Sequence, residues 1–255
     1  MRIATWNVNS VRARLPRLLP WLAEQRPDVV CLQETKVVDE LFPTSYLEDQ
    51  GYDVVAHGQK TYNGVAILAR RGIRDVVRGF PDDAEDAQAR AIAATIDGWR
   101  ILNLYVPNGA EVGHEKYQYK LAWLERLRRY LDEAFCADDQ LVVCGDFNIT
   151  FDDRDIHDPA AWHEQILCST PERDALRRVL DFGLFDALRK HHAEAGIHTW
   201  WDMRTRAFAR GAGLRIDHFL VSRSALDACS AVDVDLDACR GKSPSDHAPV
   251  IATFE

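Results

Sequence analysis

Six apolar runs in this chain stop at, or run into, polar residues able to do chemistry. Ile3-Ala4-Thr5-Trp6 ends in Asn7-Val8-Asn9, and Val29-Val30-Cys31-Leu32 ends in Gln33-Glu34-Thr35-Lys36. Ile101-Leu102-Asn103-Leu104 ends in Tyr105-Val106-Pro107-Asn108, and Leu141-Val142-Val143-Cys144 ends in Gly145-Asp146-Phe147-Asn148. Leu214-Arg215-Ile216 leads into Asp217-His218, and Ser243-Pro244-Ser245-Asp246-His247 precedes the last apolar run. Runs this short and this apolar suit buried strands better than helices. A strand end can hold a side chain rigidly and still present it to a ligand.

The remaining pattern supports a mixed α/β chain. Ile3–Val8, Val29–Gln33, Gly64–Arg70, Ala91–Asp97, Arg100–Val106, Leu141–Ile149, Ile216–Ser222 and Pro249–Glu255 read as strands. Asp97-Gly98 is a hairpin signal between two of them. Leu15–Gln25 reads as a helix with Leu15, Leu18, Leu19 and Leu22 at helical spacing. His114–Phe135 reads as the longest helix, with Tyr117, Leu121, Leu124, Leu127 and Leu131 as its apolar stripe. Arg173–Leu180 and Asp186–His192 read as further helices. Many strands, few long helices and short hairpins predict two sheets packed together and flanked by helices. No linker or low-complexity tract divides residues 1–255, so one domain is expected.

Composition narrows the function. The net charge of −9 argues against a protein that merely coats nucleic acid. It is compatible with a nuclease, whose carboxylates hold a cation that inverts the local sign. The six cysteines form no C-x-x-C pair and no tight Cys/His cluster, which argues against zinc. Several lie in apolar runs, so buried thiols in a reducing compartment are expected, and with them a cytoplasmic protein. The strand-like Met1–Trp6 segment has no signal-type apolar core, and no stretch is long enough to span a bilayer. There is no Gly-x-x-x-x-Gly-Lys-Ser/Thr loop for a nucleotide and no Gly-x-Ser-x-Gly elbow for serine hydrolysis.

Taken singly, the polar interruptions have ordinary readings. Glu34 suits a surface carboxylate, Asp146 a turn residue, and His247 a satisfied loop histidine. Together their chemistry is consistent. Glu34, Asp146, Asp217 and Asp246, with Asn7, Asn9 and Asn148, are the hard oxygen donors that Mg²⁺ takes. A histidine beside an aspartate suits a cationic donor to a phosphate oxygen.

These segments, in this order, resemble the exonuclease III family of abasic-site endonucleases. The resemblance runs from Arg2 to Phe254. It implies a four-layer α/β sandwich of two mixed sheets with helices outside. Leu32-Gln33-Glu34-Thr35-Lys36 and Leu214-Arg215-Ile216-Asp217-His218 point to the DNA-repair branch of a superfamily that also holds deoxyribonuclease I, sphingomyelinases and inositol polyphosphate phosphatases. It implies a Mg²⁺ cofactor, with Mn²⁺ as a substitute, and Glu34 as its principal ligand among Asn7, Asn9, Asp146, Asn148 and Asp246. Asp146 would be the base for the attacking water, held by Asn148. His247, paired with Asp217, and Tyr105 would donate to phosphate oxygens, with Asn7 also contacting the phosphate. The implied substrate is double-stranded DNA with abasic sites or blocked 3′ ends, acted on by a monomer.

Contacts to DNA are the least constrained part. Arg12, Arg14 and Arg17, then Arg70, Arg71 and Arg74, and finally Arg204, Arg206, Arg210 and Arg215 are candidates for a basic rim. Trp200, Leu214 and Ile216 match positions that surround the base-free sugar in the family, or are ordinary core residues. Gly109-Ala110-Glu111 stands where some members carry a basic residue that grips the duplex. The loop Trp162–Pro171 carries bulky Ile166 and Leu167, expected to narrow the pocket in favour of terminal 3′-phosphates. Two other classes remain open at this point. One is a phosphoesterase on a lipid or phosphoinositide head group, for which no membrane-binding insertion is evident. The other is a DNA-binding module without catalysis.

Overall fold

The apolar runs become strands close to where their composition puts them. The computed structural model describes residues 1–81 and 88–255. Its strands are β1 (Arg2–Asn7), β2 (Val29–Gln33), β3 (Asp53–His57), β4 (Val65–Ala69), β5 (Arg74–Arg78) and β6 (Ala91–Ile96). They continue as β7 (Trp99–Tyr105), β8 (Leu141–Asp146), β9 (Phe185–Asp186), β10 (Asp217–Val221), β11 (Cys229–Val234) and β12 (Val250–Phe254). The helices are α1 (Val11–Gln25), α2 (Thr44–Glu48), α3 (Glu115–Ala134), α4 (Thr170–Leu180), α5 (Ala187–His191) and α6 (Arg223–Ala228), with short 3₁₀ turns between.

The strands form two six-stranded sheets, ordered β11-β12-β1-β2-β4-β3 and β5-β6-β7-β8-β10-β9. Each sheet has one parallel pair near its centre, β1 with β2 and β7 with β8, and is otherwise antiparallel. The two sheets pack face to face. Ile3, Val29, Cys31 and Ile67 from one meet Ile92, Ile101, Val142, Cys144 and Phe219 from the other. The alternate residues face outward, as the two-residue side-chain period requires. Leu102, Leu104 and Val143 lie under Leu124, Leu127 and Leu131 of α3. Ala4, Trp6 and Val30 lie under Leu18, Trp21 and Leu22 of α1. The expected four-layer α/β sandwich is thus the observed architecture.

Details differ from the expected pattern at the short helices α2 and α6, at the start of α1 and at the sheet edges. Helix α1 starts at Val11, ahead of the expected Leu15, and runs through Pro16 and Pro20. The Ser10 hydroxyl accepts from Ala13 N to cap it. Its buried stripe is Val11, Leu18, Trp21 and Leu22, with Leu15 and Leu19 only half-buried. Four strands went unread, β3, β5, β9 and β11. All four are sheet edges. An edge needs less apolar surface, so its sequence carries a weaker signal. The hairpin between β6 and β7 is as expected, with φ of 51° at Asp97 and 83° at Gly98. All six cysteines are unpaired and five are buried. No described helix is long and apolar enough to cross a membrane.

The topology collects chemistry at one end. Parallel β1, β2, β7 and β8 all finish at this end, while antiparallel β10 starts there and two residues separate His247 from the start of β12. Register puts Asn7 beside Gln33, and Asp146 between Tyr105 and Asp217.

Candidate active site

Asn7, the last residue of β1, is fully buried and joins the two sheets. Its Nδ2 donates to Glu34 Oε1 at 2.9 Å and to Asp146 Oδ2 at 2.9 Å. Below it the sheets share a second polar bridge. Gln33 Nε2 donates to Thr5 Oγ1 at 2.8 Å and to Asn103 Oδ1 at 2.7 Å. Asn103 Nδ2 in turn donates to the carbonyls of Leu32 and Ala66. Buried amides at these apolar strand ends fix the relative position of the sheets because an unpaired one would be costly.

Glu34 sits in the left-handed region, φ 49°, on the turn after β2. That turn is held by Ser10 N to Glu34 O at 2.7 Å, Val11 N to Thr35 O at 3.1 Å and Thr35 N to Gly64 O at 3.1 Å. A non-glycine residue kept in such a conformation is strained, and the bonds around it sustain the strain. Lys36 Nζ lies 2.7 Å from Glu34 Oε2 and donates to Asn9 Oδ1 at 2.6 Å. Asn9 Nδ2 donates to Asp246 Oδ1 at 3.0 Å, and Trp200 Nε1 to Asp246 Oδ2 at 3.1 Å. Burial alone would raise the Glu34 carboxyl, but the Asn7 amide and Lys36 outweigh it and hold it below its ordinary value.

Asp146 ends β8 and is buried. Asn148 N donates to its Oδ1 at 2.9 Å and Asn148 Nδ2 to its Oδ2 at 3.3 Å. Asn148 adopts φ 51°, a conformation asparagine tolerates, and is braced by Asn108 Nδ2 at 3.0 Å. His247 Nδ1 donates to Asp217 Oδ2 at 2.9 Å, and its Nε2 lies 3.7 Å from Asp146 Oδ2. Burial opposes charge on this ring, but Asp217 and then Asp146 push its pKa up to about 10. Burial likewise lifts Asp146, to about 7, against the pull of His247 and with a further push from Asp217. The Tyr105 hydroxyl is raised well above its ordinary value by burial, then by Glu34 and Asp146. The Arg90 guanidinium lies over its ring, 4.8 Å from the centroid.

Expected residues Asn7, Asn9, Glu34, Tyr105, Asp146, Asn148, Asp217, Asp246 and His247 therefore share one connected cleft. Leu214 and Ile216 are buried with Ile156, Leu167 and Cys168, and half-buried Trp162, Ile166 and Trp200 pack against them. The loop expected near the pocket is thus part of the same apolar cluster.

Other expectations need correction. Arg215 does not face DNA. It is fully buried, with Nε 2.7 Å from Asp155 Oδ1 and Nη2 2.7 Å from Asp186 Oδ2. Both of its guanidinium edges are occupied by these carboxylates. Arg204, in contrast, is 91% exposed on a turn 3.2 Å from Asp202, open to solvent as a rim residue is. Arg70 and Arg71 follow the end of β4 that pairs with Val29, so they lie at the far end of the strands. They stack on Tyr52 and pair with Asp97 respectively. Arg17 is committed to the carbonyls of Ala238, Arg240 and Lys242.

Two contributors escaped the sequence reading. Thr199 Oγ1 donates to Asp217 Oδ2 at 2.6 Å and accepts from the backbone N of Ile216 and Asp217. Ser245 Oγ donates to Asn7 O at 2.6 Å and accepts from His247 N, tying the histidine loop to β1. Ser245 was visible in its motif, whereas no local signal marks Thr199.

Residues 4–247 match the profile of the Endonuclease/Exonuclease/phosphatase family. The chain is 37% identical to Exodeoxyribonuclease III of Haemophilus influenzae over 267 aligned residues, covering 100% of both. It superposes with TM-score 0.97 and 45% identity on the 3′ phosphatase NExo from Neisseria bound to product DNA hairpin, covering 100% of this chain and 99% of that one. An AP endonuclease from Archaeoglobus fulgidus matches with TM-score 0.96 and 39% identity, covering 100% and 99%. The shared fold, the ordered motifs and these matches make the chain a member of the Endonuclease/Exonuclease/phosphatase family, among its exonuclease III-type hydrolases.

Proposed function

We propose that this protein is a Mg²⁺-dependent DNA-repair phosphodiesterase that cleaves the backbone 5′ to abasic sites or clears blocked 3′ ends. The observation that carries this is Asp146 held by hydrogen bonds from Asn7 and Asn148, with the hydrogen-bonded His247–Asp217 pair 3.7 Å away. It places an oriented base beside a cationic donor, which is what attack on an anionic phosphodiester requires. The names of the relatives, with DNA ends and abasic sites among them, agree with that chemistry. The proposed setting is cytoplasmic, as a monomer of one domain.

The cleft fits a divalent cation. Four carboxylates, Glu34, Asp146, Asp217 and Asp246, gather here; Lys36 and the His247 ring pair with them, and Arg14 adds an attraction at Asp246, so negative charge is in excess. Asp146, Asp217 and His247 each bring a ligand-type atom within 4.8 Å of the others. We do not assign the ion to that trio. Both nitrogens of His247 face carboxylates, so the ring is a protonated donor and no ligand. Glu34, with Asn7, Asp146 and the Asn9–Asp246 pair around it, is the better oxygen cage. An ion held there would supply positive charge for the phosphate as it is cleaved.

The chain's own residues do the rest. Asp146, ionised, accepts a proton from a water held by Asn148. His247 Nε2 and the Tyr105 hydroxyl donate to the non-bridging oxygens as charge grows there. Asp217 keeps the His247 ring charged and fixes its orientation. Half-buried Trp200, backed by the buried Leu214 and Ile216, faces a nucleotide that has lost its base, since unstacking it costs least.

One observation favours 3′-end processing over internal incision. Leu167 is only 3% exposed and packs with φ 72° against the buried Leu214 and Ile216, so the loop fills that side of the cluster beside Trp200. The test uses end-labelled duplexes carrying an abasic-site analogue or a 3′-phosphate, with Mg²⁺ or EDTA. Mg²⁺-dependent product, lost in Asp146→Asn, supports the reading. No product from either substrate overturns it. Leu167→Gly should raise the ratio of internal to terminal cleavage, and an unchanged ratio would remove the loop's assigned role.

A further inference from the structure

Helix α3 carries a lysine on its apolar side. Lys120 is fully buried, and its Nζ pairs with the equally buried Glu172 of α4. The same ammonium donates to Asn148 O at 2.6 Å and to Asn108 O at 3.1 Å. These are the asparagines that brace one another and orient Asp146. Glu172 meanwhile gathers the loop before α4. It accepts from Leu167 N at 3.2 Å, Ser169 N at 3.1 Å and Ser169 Oγ at 2.7 Å. The Tyr117 hydroxyl adds a bond to Ser169 Oγ at 2.8 Å. One buried ion pair thus touches both the pocket loop and the residue that holds the catalytic carboxylate.

Apolar residues of equal size would fill this space without the cost of burying charge. They would leave two carbonyls and two loop amides without these partners. We infer that Lys120 and Glu172 are positioning residues whose pairing sets the pocket loop against the Asn148–Asp146 unit. The pair thereby governs the choice between a terminal 3′-phosphate and an internal base-free nucleotide. This rests on the function proposed above.

The test compares wild type, Lys120→Met/Glu172→Gln and Ser169→Ala on both DNA substrates, with folding checked by circular dichroism and thermal melting. The double variant removes both charges together, so neither is left buried alone. It should lose about tenfold or more in kcat on the 3′-phosphate, as expected for a misplaced catalytic group, with KM changed far less. Its internal-to-terminal activity ratio should rise by about tenfold. Ser169→Ala loosens the loop but keeps the Lys120–Asn148 bond. It should move the ratio the same way while lowering kcat less than the double variant does. A folded double variant with wild-type kcat and ratio overturns the inference. If the double variant does not fold, an unmoved ratio in Ser169→Ala overturns it. Inactivity of the wild type on both substrates would instead overturn the proposed function, and this inference with it.

Discussion

At the scale of single residues, the His247–Asp217 pair shows how environment makes a side chain functional. A free histidine is mostly neutral above its ordinary pKa of about 6.5. Here Asp217 and Asp146 keep the ring protonated up to about pH 10 in spite of burial. The donor should therefore persist across neutral pH and disappear only as pH approaches 10. Replacing Asp217 with Asn removes the larger favourable charge, so the alkaline limb of the kcat/KM profile should move toward neutrality. His247→Ala should cost roughly 10²-fold or more in kcat, the size of a lost charge-stabilising donor. An unmoved alkaline limb in Asp217→Asn would separate the pair from the chemistry. The functional types at these positions were legible in the sequence because Glu, Asp and His in apolar company are conspicuous. Arg215 shows the limit of that reading. Its motif neighbours are functional, but its own side chain is spent on Asp155 and Asp186 in the interior.

At the scale of elements, strand ends do the positioning. Gly145 precedes Asp146 with φ 143°, and a Cβ there would sit 2.0 Å from Leu104 O of the neighbouring strand. No side-chain movement relieves a clash with backbone. Gly145→Ala should force β7 and β8 apart, at a cost of about 3 kcal/mol or more from strain and overpacking. Urea unfolding measures this cost, and a stability equal to wild type would show that the pair tolerates separation. The eight strands read from sequence are the inner ones, and the four missed are the edges. Inner strands are apolar on both faces, so composition betrays them. In β5, by contrast, only half-buried Val76 interrupts an otherwise exposed segment, and pairing with β6 makes it a strand. The long helix was nearly exact in extent because His114 caps it and its stripe is regular.

At the scale of the whole molecule, the two sheets meet at the site, and charge there is unbalanced. A cation that binds only the folded protein stabilises it, by roughly 2.7 kcal/mol at a hundredfold excess over Kd. For a chain of this size that is a rise in Tm of roughly 5–10 °C. Mg²⁺ should produce such a shift in wild type, and Glu34→Gln should abolish most of it. An equal shift in both would move the ion away from Glu34. The layered α/β class, the inner strands, the longer helices and the set of groups that carry the chemistry can be read from the chain alone. Those follow from local periodicity and residue type, which need no partner to be read. The tertiary structure alone decided which groups meet. It brought Thr199 to Asp217, tied Ser245 to Asn7, and buried Lys120 between Asn148 and Glu172. It also turned Arg215 inward and carried Arg70 and Arg71 to the opposite end. Long-range contacts set those outcomes, and hydrogen-bond and charge satisfaction in the interior selects among them only once both sheets are in place.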